Sequence, residues 1–169
     1  AVSDFLPSTL DVTPITGIVP KTGELTERQT SPDAPLAALA FKIASDPYVG
    51  KLFYTRIYSG RITSGDTIYN STRGVKERVS KIVLMHANRQ EIIAKAEAGE
   101  IVALVGLKET KSGDTICAES APLVIESMKV PEPVVSMAIE PKTKADQDKL
   151  GMVMRKFLDE DPSLRVQYN

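Results

Sequence analysis

Residues Pro35 to Asn70, PLAALAFKIASDPYVGKLFYTRIYSGRITSGDTIYN, constrain the fold more than any other stretch. Leu39, Phe41 and Ile43 alternate with Ala40, Lys42 and Ala44, the period of two expected of a strand with one buried face. Asp46-Pro47-Tyr48-Val49-Gly50 is turn chemistry, in which proline presets one dihedral and glycine is free to take positive φ. Leu52, Tyr54, Arg56 and Tyr58 then share one face, and Phe53, Thr55 and Ile57 the other. Ser59-Gly60 and Ser64-Gly65-Asp66 punctuate the way into Thr67-Ile68-Tyr69. Consecutive strands joined by short turns pair antiparallel, so the stretch predicts the seed of a closed or strongly curled sheet. No catalytic group stands out within it.

The length, 169 residues, suits one domain, or one domain with part of a second. Lysine and arginine total 21 against 22 aspartate and glutamate, a net charge of −1, so any contact with nucleic acid has to come from a local patch. Cys117 is the only cysteine, which rules out an intrachain disulfide and predicts a reducing compartment. No apolar run reaches the roughly 18 residues that a membrane helix needs. The chain opens on Ala1 with no signal segment and reads as a piece of something longer.

Before the central stretch, Pro14, Pro20, Pro32 and Pro35 interrupt the chain, and Lys21 to Asp33 is expected to form an exposed loop. After it, Val75 to His86 (VKERVSKIVLMH) reads as one strand, Ala87-Asn88-Arg89 as a hairpin connection, and Gln90 to Ala96 as the returning strand. A helix over Glu91 to Glu97 competes with that last reading, and the early Gly99 favours the strand. Ile101 to Leu107 is continuously apolar, the mark of a strand covered on both sides. Thr63-Ser64-Gly65-Asp66-Thr67-Ile68 recurs as Lys111-Ser112-Gly113-Asp114-Thr115-Ile116, a repeated turn solution in which aspartate bonds nearby amides. Beyond the proline-bearing Glu126 to Pro133, the alternation of Val135, Met137 and Ile139 predicts a strand, and that of Leu164, Val166 and Tyr168 another. Between them Thr143 and Asp146 make a capping pair. Leu150, Val153, Met154, Phe157 and Leu158 form one apolar helix stripe, expected to pack on the unit's own sheet.

The search for chemistry is short. Gly60 to Gly65 has the glycine spacing of a phosphate loop, but Asp66 stands where a lysine would have to meet phosphate charge. His86 and Cys117 are the sole histidine and cysteine, too few for a structural zinc site, and a His/Cys nucleophile pair is the only enzymatic alternative. The most basic segment is Thr72 to Ala96. It sets Arg73, Lys76, Arg78, Lys81, Arg89 and Lys95 against Glu77 and Glu91, so 6 − 2 = +4. Such a cluster serves either as a ridge facing phosphates or as a solvated outer face with edge-guarding lysines.

The runs PLAALAFKIASDPYVGKLFYTRIYSG, MHANRQE, GLKETKSGDTIC and VPEPVVSMAIEPKTKADQDKL, in that order, resemble bacterial elongation factor G, of the translational GTPase family. The resemblance implies a mainly β chain: an antiparallel β-barrel of the translation-protein type, then a partial ferredoxin-like β-α-β unit. It places 1–9 at the end of the family's G domain, 10–129 in the barrel domain and 130–169 in the first half of the third domain. It implies a cytoplasmic parent that binds the ribosome and drives movement of tRNA and mRNA. GTP and Mg²⁺ would sit in the G domain rather than in this chain, which then carries no catalytic, nucleotide-binding or metal residue and no membrane partner. By resemblance the barrel touches small-subunit rRNA, with Arg73, Lys76, Arg78, Lys81 and Arg89 as candidate contacts, and braces the G domain. Asp46, Pro47, Tyr48, Val49 and Gly50 would form the loop facing that domain. Pro141, Lys142 and Thr143 would line one wall of the inter-domain pocket that binds fusidic acid. The competing readings are a mitochondrial or ribosomal-protection paralogue, and a free-standing RNA-binding barrel.

Overall fold

The computed structural model describes residues 13–46, 48–86, 89–125, 135–161 and 163–167. The chain divides into two compact units, 1–127 and 128–169. Pro47, the Ala87-Asn88 connection, the Glu126–Pro133 boundary, Pro162, Tyr168 and the first residues lie outside the described set.

In the first unit the central stretch folds as two long strands, β3 (Ala37–Asp46) and β4 (Gly50–Ser59), followed by β5 (Arg61–Thr63) and β6 (Thr67–Asn70). With β7 (Val75–Arg78), β8 (Lys81–His86), β9 (Arg89–Ile93), β11 (Ile101–Val105) and β12 (Asp114–Cys117), the antiparallel sheet runs β7-β6-β12-β3-β4-β11-β8-β9. The Val79-Ser80 corner curls it shut. Val79 exchanges backbone bonds with Gly65 and Asp66 on one side, and the Ser80 amide donates to the Val105 carbonyl at 2.7 Å on the other. A small pair, β10 (Lys95–Glu97) with β5, braces one end. The interior is filled by Ala38, Ile43, Phe53, Ile57, Ile82 and Leu104, all nearly or wholly buried. Burying each large side chain of this set contributes about 1.5–3 kcal/mol relative to exposure.

The sequence face assigned to β3 is only half right. Phe41 is an extra residue: Ala40 opposes Thr55 while Lys42 already opposes Tyr54. A bulge shifts the phase of everything after it by one residue. Leu39 therefore packs outside the barrel with Ala37, Leu123 and Ile125, whereas Ile43 joins Ala38 and Ala40 inside. On β4 the predicted faces hold, with Phe53 and Ile57 in the core and Leu52 in a separate cluster with Val83 and Ala103.

Three further expectations need correction. The Lys21–Asp33 loop contains a strand: β1 (Ile15–Ile18) and β2 (Leu25–Arg28) form a hairpin that joins β13 (Val124–Ile125) in a three-stranded sheet. Pro20 does not block it because it sits in the turn, between the Val19 amide and the Glu24 carbonyl it bonds. Val75 to His86 is two strands rather than one, broken where Val79 and Ser80 turn the corner. Gln90 to Ala96 is extended, not helical, but Ala94 divides it between β9 and β10.

In the second unit α1 spans Lys144–Glu160. Thr143 caps it as predicted: its hydroxyl oxygen accepts from the Asp146 amide at 3.2 Å and its hydroxyl donates to the Asp146 carboxylate at 2.7 Å. The expected covering sheet is absent among the described residues. Residues 135–140 form no strand, nor do Leu164 to Gln167, and Val135 and Met137 are about four-fifths exposed. A strand needs a paired neighbour, and the alternating pattern finds none here. The helix stripe is correspondingly open, with Val153, Phe157 and Leu158 all exposed and no helix residue buried.

Gly151 lies within this helix with nothing within 4 Å of where a Cβ would stand. Gly151→Ala is expected to strengthen the helix by about 1 kcal/mol, read as a gain in helical circular dichroism of the chain. An unchanged signal would mean that the helix is held by something other than its own propensity.

Candidate functional site

The basic residues singled out from the sequence do not converge as one ridge. β6 and β7 form a tight hairpin in which Thr67 opposes Arg78, Ile68 opposes Glu77 and Tyr69 opposes Lys76. Alternation sends Lys76 and Arg78 to solvent and Glu77 inward. Arg73, in the turn, is largely committed to structure. Its side-chain Nε donates to the buried Asp114 carboxylate, and its amide donates to Asn70 Oδ1 at 3.0 Å. Lys76 pairs with Glu119 at 2.8 Å, both side chains being more than half exposed, a contact worth under about 1 kcal/mol. Arg78 Nε donates to the Gly65 carbonyl at 3.2 Å. Lys81 is exposed at the start of β8, just past the corner. Arg89 opposes His86 at the far end of that hairpin, roughly 16 Å along the strand.

Beside Lys76 and Arg78 lies a shallow depression of about 360 Å³, completed by Glu77, Ser80, Gly106, Lys108 and Glu109. Lys108 was not among the sequence candidates. The β11–β12 loop carries it to this place because Glu77 fastens that loop from below. The Glu77 carboxylate accepts from the amides of Lys108, Glu109 (2.8 Å) and Thr110 (3.0 Å), and from the Thr110 hydroxyl. Burial alone would raise its pKa, but the Thr110 hydroxyl and the three amides together hold it below the ordinary carboxylate value. Thr110 Oγ1 also accepts from Asn70 Nδ2 at 3.0 Å, which reaches Asp114 at 3.0 Å as well. The hairpin, its arginine turn and the loop are thus one hydrogen-bonded block.

The repeated turns share one construction. Asp66 accepts from the Thr63 amide at 2.7 Å, and Asp114 from the Lys111 amide at 2.8 Å. In each the serine hydroxyl docks on a carbonyl of a neighbouring segment, Ser64 on Ser80 and Ser112 on Phe41. They differ in burial, Asp66 lying at the surface and Asp114 inside.

The Asp46–Gly50 loop is stiffened from within. Asp46 Oδ1 accepts from the Val49 amide at 2.9 Å and the Tyr48 amide at 2.8 Å, and Oδ2 accepts from Gln90 Nε2 at 2.8 Å. The Val49, Tyr48 and Gln90 donors, in that order, lower the pKa of Asp46. Tyr48 stands 95% exposed, outside the core. In the second unit Pro141 is half-buried, Lys142 is exposed, and Thr143 commits its hydroxyl to the helix cap. Cys117 is fully buried on β12, and β3, β4 and β11 stand between that strand and β8 in the sheet.

Residues 50–117 match the family model "Elongation factor Tu domain 2", and residues 130–169 match "Elongation Factor G, domain III". Proteins named elongation factor G from three strains of Dehalococcoides mccartyi are each 53% identical to this chain over 169 residues, all of it and 24% of their own length. Over its whole length the chain is similar to a segment of elongation factor G. It spans about a quarter of the length of these relatives. A crystal structure of a Thermus thermophilus protein is similar to it with a TM-score of 0.65 and 29% identity, covering 80% of this chain and 20% of that one. Within the elongation factor G frame, all five basic candidates and Lys108 fall inside the domain 2 match. Pro141, Lys142 and Thr143 fall inside the domain III match.

Proposed function

We propose that this chain is a non-catalytic segment of elongation factor G, the ribosome-dependent GTPase that moves tRNA and mRNA during elongation. The observation that carries the reading is 53% identity across the whole chain to proteins of that name, with the two family matches in the same order. In this reading 1–9 end the G domain, 10–129 form the barrel domain and 130–169 open the third domain. The parent works in the cytoplasm, and its G domain holds GTP and Mg²⁺. The barrel docks on the small ribosomal subunit through the exposed cations of the β6–β7 hairpin, with Lys81 and Arg89 as outlying contacts. The stiff Asp46–Gly50 loop, with Tyr48 projecting, serves as the brace for the G domain. Pro141, Lys142 and Thr143 form one wall of the drug pocket. Among the described residues no helix is long and apolar enough to cross a membrane.

Charge reversal in the full-length parent tests the docking surface. Lys76→Glu with Arg78→Glu is expected to weaken ribosome binding on the order of tenfold at low salt and to flatten its salt dependence, because each lost phosphate contact removes released counterions. Arg73 is left intact in this test, since its guanidinium supports Asp114. Unchanged affinity and salt slope would remove the hairpin from the contact set.

A further inference from the structure

The small three-stranded sheet leaves the edge of β2 open. In the β1–β2 hairpin the Val19 amide donates to the Glu24 carbonyl at 2.9 Å, and opposite residues then alternate between bonded and non-bonded pairs. Gly17 with Thr26 and Ile15 with Arg28 are the bonded pairs, so the amides and carbonyls of Ile18, Leu25 and Glu27 point away from the hairpin. On the β1 side Ile18 meets Val124 of β13, whereas no strand among the described residues meets Leu25 or Glu27. The register is unbroken, and β2 carries no proline, lysine or bulge of the kind that blunts an edge. Leu25 is 75% exposed and Ile18, directly opposite, 46%; with Val124 they make an apolar row across all three strands. The charge beside this row is negative. Glu24 and Glu27 are exposed, and neither carboxylate is in an ion pair among the described residues. Arg28 turns its guanidinium to the Ala121 carbonyl, 3.2 Å away, rather than to either acid. By contrast β7 and β9, which end the barrel sheet, carry Lys76, Arg78 and Arg89.

We infer that β2 is a strand-addition site for an extended basic segment of a partner protein, which pairs its backbone with the outward groups of Leu25 and Glu27. Main-chain bonds supply the affinity of such a contact, and side chains at alternate positions choose the partner. In antiparallel register a lysine or arginine stands opposite Glu27, an apolar residue opposite Leu25 and a second cation opposite Glu24. From N to C the partner therefore reads basic-x-apolar-basic. A nucleic acid does not suit this edge, because its phosphates would meet Glu24 and Glu27. The inference uses neither the β6–β7 hairpin nor its docking role, and it stands or falls apart from them.

The test titrates the 169-residue chain with the blocked peptide TKTVKT and follows its amide signals and their hydrogen exchange. Shifts are expected along Leu25 to Arg28. Exchange should slow at the Leu25 and Glu27 amides and stay as it was at Thr26, whose amide already bonds β1. Glu27→Lys should weaken binding of this peptide about fivefold at low salt and strengthen binding of TETVET. Glu140→Lys, an equal charge change at an exposed site in the second unit, should leave both peptides as with the wild type. Leu25→Pro should abolish binding and keep the hairpin, since the amide it removes faces the open edge. Methylating the valine amide of the peptide should abolish binding as well. The inference is overturned if the peptide shifts no β2 amide, if Glu27→Lys and Glu140→Lys behave alike, or if the methylated peptide binds as the parent does, which would mark a charge contact without strand pairing. It is also overturned if the Leu25 and Glu27 amides are protected without peptide in proportion to protein concentration, which would assign the edge to a second copy of the chain.

Discussion

Gly60→Ala is expected to destabilise the barrel by about 3–4 kcal/mol, a large share of the roughly 5–15 kcal/mol that holds a typical domain together. Gly60 is buried at the link between β4 and β5 with φ of +75°, a region that costs an L-residue about 1–2 kcal/mol. The larger part is steric. A Cβ there would lie 2.6 Å from Leu36 Cα, 2.7 Å from Leu36 N and 2.9 Å from the Ala34 carbonyl oxygen, all backbone atoms that cannot rotate away. The same backbone is pinned on both sides. Gly60 donates to the Ser31 carbonyl at 2.8 Å and accepts from the Ala98 amide at 3.0 Å, while Ser59 Oγ donates to the Pro35 carbonyl at 2.7 Å. Relief by movement would therefore break bonds to two separate segments, 31–35 and the turn at Ala98. Gly65→Ala is the control: φ is +95°, but the only neighbour of its Cβ is the flexible Arg78 guanidinium at 3.8 Å, so it bears the dihedral cost alone. Urea unfolding of the two variants, followed by the β signal, separates the two contributions. Equal midpoints would show that the Leu36 backbone yields at little cost.

What the sequence disclosed and what it hid follow from where each piece of information resides. The β3–β4 hairpin and the apolar Ile101–Val105 strand were legible because alternation and turn residues are local. The Phe41 bulge was not, since the slip is visible only against the partner strand. The break at Val79-Ser80 was hidden for the same reason: both residues continue the strand pattern, and only their bonds to the 65–66 turn and to Val105 bend the chain there. Glu77, by contrast, does carry a local signal. It lies between Val75 and Val79 on the apolar phase of VKERV, where a charge is costly unless it is met by donors. Lys108 carries none, because its place beside Lys76 and Arg78 depends on a carboxylate 31 residues away. In the second unit the helix and its cap were legible and formed. The strand patterns at Val135–Ile139 and Leu164–Val166 need a partner strand to become strands, and a pattern cannot supply one.

Glu77→Gln is expected to cost about 3 kcal/mol at neutral pH, more than any surface charge in the barrel. The carboxylate accepts four hydrogen bonds, from the amides of 108, 109 and 110 and from the Thr110 hydroxyl. An amide in its place keeps one acceptor oxygen and turns an NH₂ toward donors, leaving buried N–H groups unpaired at about 1–3 kcal/mol in all and forfeiting the added strength of bonds to a charge. The loss spreads further, because Thr110 Oγ1 also receives Asn70 Nδ2, and Asn70 helps hold Asp114 and the Arg73 turn. The pH dependence follows from the direction of the shift. The folded state holds the Glu77 pKa below its ordinary value of 4.5. Its contribution is therefore complete above the unfolded value and is lost as pH falls through the lower folded one. Wild type and Glu77→Gln should differ by a constant amount from neutral pH down to about 5, and their stabilities should converge below about 4.5 as the carboxylate protonates. Denaturant midpoints of the two proteins across this range measure it. A gap that stayed constant into acid would mean that the carboxylate charge contributes nothing and that Glu77 holds the loop by shape alone.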